Sequence, residues 1–162
     1  MSYSTLLADL GTAAPEVLLA AAALLGVLLG AFIGDSSRGL LRLLGAVSLA
    51  GAAYWSAMQF SGEPTSAFGG LYHINGFSLF AKTLLFALAA VALLISGKSL
   101  QGAGVNRYEY SLLIMLAAAG AGLMLSAADL MTLYLGIEML SLPSYVLAAF
   151  RRDDVRSAEA GL

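Results

Sequence analysis

The sequence predicts an all-α fold: a polytopic transmembrane helix bundle with about five membrane-spanning helices plus the start of a sixth. Three observations carry this reading. Five apolar stretches are each long enough to cross a hydrocarbon core of about 30 Å at about 1.5 Å per residue. The 162 residues are 60% hydrophobic and only 11% charged, with a mean hydropathy of +0.87, whereas a soluble domain is about a quarter charged. The basic residues also segregate to one side of the topology that these stretches define. The whole chain, 1–162, reads as a single transmembrane domain, with no soluble domain, low-complexity linker or clear internal repeat.

The first span is predicted over Ala14 to Ile33, with Thr12 as its cap, Pro15 in its first turn and Glu16 where the helix dipole favours an anion. Met1 to Ala13 lacks a basic n-region, so no signal peptide is expected. Gly26, Gly30 and Gly34 recur every four residues, a spacing that suits close helix packing. A short polar loop, Gly34 to Arg38, leads to a second span over Leu40 to Phe60, where Tyr54 and Trp55 read as an interfacial belt. Ser61 to Gly76 is a turn-rich loop. It holds His73, the one histidine, expected to be solvated or hydrogen-bonded rather than a ligand. With no cysteines and one histidine, disulfides, thiolate metal sites and a His-based metal or haem pair are not expected.

The third span, Phe77 to Ser96, contains Lys82, and the loop Gly97 to Arg107 follows. The fourth span, Tyr108 to Leu125, has an all-small centre from Ala117 to Gly122 that lets a neighbouring backbone approach. Ser126 to Asp129 is a very short turn, so spans four and five should form an antiparallel hairpin. Leu130 to Phe150 is the fifth span. Arg151-Arg152-Asp153-Asp154 closes it as a solvated boundary, and Ser157 to Leu162 begins another helix. Arg38, Arg42, Lys98, Arg107, Arg151, Arg152 and Arg156 fall on one side, leaving one of the 8 basic residues elsewhere. The positive-inside rule makes that side cytoplasmic, with the N-terminus outside and the C-terminal tail inside.

Chemistry concentrates in the fifth span. Its one ionisable side chain, Glu138, lies about 3 Å from the centre of the stretch along the helix axis. A charged side chain at the bilayer centre costs about 3 kcal/mol or more and persists where it meets a partner, a cavity or a proton path. Hydrocarbon favours the protonated form of a carboxyl and a nearby cation the ionised form, so such a group can hold or release a proton. Tyr134, Ser141 and Tyr145 share the helical face of Glu138, and their hydroxyls could orient a chain of water. Pro143 is the expected helix break: it has no amide hydrogen, so the Met139 carbonyl loses its usual donor and can bind water or allow a bend. Lys82, about 7 Å outward of the centre of span three, either snorkels to the interface or pairs in a relay with an acid such as Glu138. Walker-type phosphate loops and hydrolase triads are absent, and GAGVNR lacks the strand–helix context of a dinucleotide site.

ADLMTLYLGIEMLSLP, over Ala128 to Pro143, followed by Tyr145-Val146-Leu147-Ala148, resembles span five of subunit N of bacterial NADH:quinone oxidoreductase, respiratory complex I. Ser157 to Leu162 resembles that family's next segment, Pro15 to Leu19 its opening helix and Ile74 to Phe77 the entrance to its third. The resemblance covers essentially the whole chain; the span-five match is specific and the others are weak alone. It implies a proton-translocating, antiporter-like subunit of the bacterial inner membrane with no cofactor of its own. NADH, FMN, iron–sulfur clusters and quinone are then expected in other subunits, and the partners are other membrane subunits of complex I and the lipid bilayer, not nucleic acid. In that family the glutamate matched by Glu138 pairs with a lysine of a later helix and takes part in proton movement. The family has about fourteen spans, so the chain is expected to be an N-terminal portion or a truncated homologue, unable to move protons alone. It also often has Asn where Ala128 stands. Alternatives are a membrane subunit of a cation/proton antiporter or membrane-bound hydrogenase, or a purely structural membrane piece.

Overall fold

The computed structural model describes residues 3–60, 63–102, 107–151 and 155–161. Among the described residues seven helices carry the fold: α1 (Tyr3–Thr12), α2 (Ala14–Ile33), α3 (Arg38–Gln59), α4 (Gly76–Gly102), α5 (Glu109–Leu125), α6 (Leu130–Ala148) and α7 (Val155–Ala160). A two-stranded hairpin, β1 (Thr65–Ala67) with β2 (Tyr72–Ile74), lies between α3 and α4. The chain is thus an all-α, polytopic membrane fold. α2, α3, α4 and α6 are long and apolar enough to cross a bilayer. α5, at 17 residues, is shorter, about 25 Å long and near the lower limit for a span.

Helix ends differ from the sequence expectations where local chemistry decides them. Thr12 does not cap α2. Its hydroxyl donates back to the Ala8 carbonyl at 3.1 Å, so it belongs to α1, and Ala13 stands at the N-cap with Pro15 behind it. Gly34–Ser37 is a 3-10 turn rather than an open loop, and Gly34 supplies the left-handed φ of 67° that ends α2. α4 runs on to Gly102, past the expected end at Ser96, because nothing in Gly97 to Leu100 forces a stop. Its start is set by a reciprocal cap: Asn75 Oδ1 accepts from the Ser78 amide, and Ser78 Oγ from the Asn75 amide, both at 2.9 Å. Ser61, Gly62, Gly104, Arg152, Asp153, Asp154 and Leu162 of the sequence reading lie outside the described residues.

α2, α3, α4 and α5 surround one apolar core, in which Leu19, Leu49, Phe86, Leu93, Met115 and Ala119 are fully or almost fully buried. The spaced glycines of α2 serve this packing at two positions: Gly26 faces Leu112 and Gly30 faces the ring of Tyr108, both on or beside α5. The small-residue centre of α5 receives α6. A methyl group on Gly120 would stand 2.5 Å from the Leu140 amide nitrogen, so the two backbones touch. α6 packs chiefly on α5 at the edge of the bundle and buries only Gly136 and Pro143. It runs through Pro143 as one helix, so the expected break does not occur. Around the proline, Ser141 Oγ donates to the Ile137 carbonyl and Ser144 Oγ to the Leu140 carbonyl.

The turn-rich loop folds more than its composition predicts. Thr65 pairs with Ile74, Ser66 with His73 and Ala67 with Tyr72 around a tight turn at Phe68–Gly70, whose glycines take φ of 68° and 95°. α1 holds the tip, where the Phe68 amide donates to Asp9 Oδ2 at 3.0 Å. The turn between α5 and α6 joins the other edge: the His73 amide donates to the Ser126 carbonyl and the Ala128 amide to the Leu71 carbonyl, and Tyr72 bridges to Ala127. His73 itself is hydrogen-bonded to Ser66 Oγ at 3.0 Å.

Candidate functional site

Two polar constellations stand in this apolar frame. The first is on α6. Asp129 fixes the start of that helix by accepting from the Thr132 amide at 2.9 Å. The hydrogen bonds from Thr132, side chain first and backbone second, hold the Asp129 carboxyl below its ordinary value. Two turns on, Glu138 is half-buried, one turn after Tyr134 on the same face of the helix. Tyr134 and Tyr145 are exposed. Their face is turned away from the Gly136 contact with α5, on the side of α6 that the rest of the bundle leaves open. Ser141 sits on the same face, but its hydroxyl proton goes to the Ile137 carbonyl at 2.6 Å. It can therefore accept from water but donates to the helix.

The second constellation joins α2, α4 and the hairpin. Lys82 is 1% exposed, so it does not snorkel. Its Nζ stands 2.6 Å from Glu16 Oε1 and donates to the Tyr72 hydroxyl at 2.5 Å. The Tyr72 hydroxyl in turn donates to Glu16 Oε2 at 2.9 Å. The ammonium also lies 4.6 Å from the centroid of the Tyr72 ring. Burial, and after it the Glu16 carboxylate, pushes the Tyr72 phenol above its ordinary value. Gly122 of α5 makes room for the acid, because a methyl group there would stand 2.8 Å from Glu16 Oε1. Glu16 and Tyr72 also line a cleft of about 430 Å³ that reaches Thr132 and Met139 of α6.

Sequence reasoning therefore found Lys82 and missed its partners. The structure brings Lys82 to Glu16, and among the described residues no ion pair joins it to Glu138. α4 packs on α3 and α5, while α6 lies beyond α5. A signal was present. Spans one and three run in the same direction, and each carries one charge within its first two turns, so an acid and a base enter the apolar layer from the same face.

The α6 constellation falls within residues 127–162, which match the family described as NADH:quinone oxidoreductase/Mrp antiporter, TM. NADH-quinone oxidoreductase subunit N of Hirschia baltica is 54% identical over 157 residues, covering 97% of this chain and 33% of that protein. Over nearly its whole length the chain is similar to subunit N of NADH-quinone oxidoreductases. Subunit N of Rhizorhabdus wittichii is 45% identical over 158 residues, 96% of this chain and 32% of that protein. Subunit N of Azorhizobium caulinodans is 40% identical over 159 residues, with 98% and 33% covered. The chain thus spans about a third of the length of the curated subunit N relatives it matches.

Proposed function

We propose that this chain forms part of a proton-translocating, antiporter-like membrane subunit of NADH:quinone oxidoreductase, which couples quinone reduction to proton pumping. The observation that carries the reading is Glu138, the single charged side chain within α6, set near mid-span one turn after Tyr134 on the open face of that helix. A carboxyl at that depth exchanges a proton when a cation approaches or leaves. Tyr145 and Ser141 extend the polar face along which water can reach it. The relatives are about three times as long as this chain, enough for further helices to cover that face and bring a cation to it. The redox groups and quinone then act in other subunits, and this chain works against neighbouring membrane subunits without a cofactor of its own. The bacterial inner membrane is its site, with the hairpin face outside and the basic face cytoplasmic.

Glu138→Gln keeps size and hydrogen bonding but removes the titration. In the full-length subunit it is expected to leave assembly intact and to lower proton pumping several-fold, with Glu138→Asp milder. Pumping in membranes, normalised to assembled complex, is the measurement. Unchanged pumping in Glu138→Gln reduces the acid to a packing residue.

A further inference from the structure

We propose that Glu16, Tyr72 and Lys82 form a second proton relay, on the hairpin face of the bundle, in which the Tyr72 hydroxyl carries a proton from Lys82 to Glu16. The relay rests on the transport reading above and adds to it a site on different helices from Glu138.

The order of donors is already that of a transfer. Lys82 Nζ donates to the Tyr72 hydroxyl, which donates to Glu16 Oε2. An N–H bond of the ammonium breaks as its proton joins the phenol oxygen, and the phenol O–H bond breaks as its own proton joins the carboxylate. The products are a neutral amine, an intact phenol and a neutral carboxylic acid, so the total charge does not change. Glu16 lines a cleft with Tyr72 and Thr132; its proton leaves along that cleft to solvent beyond the hairpin, and the amine then takes the next one. Burial favours the neutral pair and mutual attraction the charged pair. The phenol, raised by burial, stays protonated between transfers and so acts as a carrier rather than a third charge.

The alternative is a latch that only ties α2, α4 and the hairpin together. A latch needs no more than the direct contact of Lys82 with Glu16 Oε1, and buried ion pairs hold folds together little better than well-packed apolar groups. Among the described residues the other elements around the triad bring no competing charge: α5 presents Gly122, the turn after it Ser126, and α6 Thr132.

Two variants of the full-length subunit in the assembled complex separate relay from latch, with Glu138→Gln measured beside them. Tyr72→Phe keeps the ring and the direct ion pair and removes only the carrier. Lys82→Arg keeps a cation opposite Glu16, but a guanidinium does not give up its proton in a protein. At equal NADH oxidation and equal assembled complex, both are expected to pump several-fold less than the parent. Should Lys82→Arg not assemble, Tyr72→Phe decides alone. Normal pumping by Tyr72→Phe with impaired Glu138→Gln overturns the relay and leaves the transport reading standing. Normal pumping by both overturns the two together.

Discussion

Removing one member of the Glu16–Lys82 pair leaves the other charge in a dry, apolar setting. Loss of a single partner of a buried pair costs about 3–5 kcal/mol, whereas neutralising both is often close to neutral. Glu16→Gln and Lys82→Met are each expected to lower the thermal stability of the detergent-solubilised protein, and the double variant is expected to recover most of the loss. A double variant as unstable as the singles means that the loss comes from packing. The same pair shows what a sequence reveals of a buried residue. Glu138 stands out because it is the lone charge of a long apolar run, which needs no knowledge of neighbours. Lys82 stands out for the same reason, but its partner does not: Glu16 sits in a first turn, where the helix dipole already accounts for an acid, and Tyr72 lies in a loop whose fold three-residue strands barely announce.

Among the elements, α5 and α6 form the tightest junction, and glycine makes it possible. Gly120→Ala places a methyl group against the backbone of Leu140 and Met139, and overpacking of this kind costs about 1–3 kcal/mol. Gly39→Ala, on α3, meets nothing within 4 Å and gains up to about 1 kcal/mol of helix propensity. Thermal unfolding in detergent should therefore fall for Gly120→Ala and hold or rise for Gly39→Ala. Equal melting of the two variants removes the close approach as a source of stability. The small-residue run of α5 was legible as a docking strip because small side chains have few other uses at the centre of a span. The continuity of α6 through Pro143 was not, because the packing of that helix on α5 lies outside its own sequence.

At the scale of the whole molecule, the order of the apolar helices follows from hydropathy, with four of them long enough to span and α5 shorter than expected, while the pairing of helices does not. Spans three and five look equally available to one another in sequence, and only the packed bundle sets α5 between them. The charge asymmetry gives a direct test of orientation. Thr65→Cys, on the exposed hairpin, should label from the outer face in intact cells, and Ser36→Cys, exposed in the turn before α3, only after the inner face is opened. Labelling of Ser36→Cys from outside reverses the topology.

The bonds that join the hairpin to residues 126–128 also set an order of events during synthesis. The chain emerges from its N-terminus, so Leu71, Tyr72 and His73 are made long before the segment that pairs with them. The first three spans enter the bilayer with one strand edge unfinished, and the arrival of the turn between α5 and α6 completes it. Residues 126–128 act as a late fastener, so a ribosome halted before them leaves a bundle whose hairpin rim cannot close.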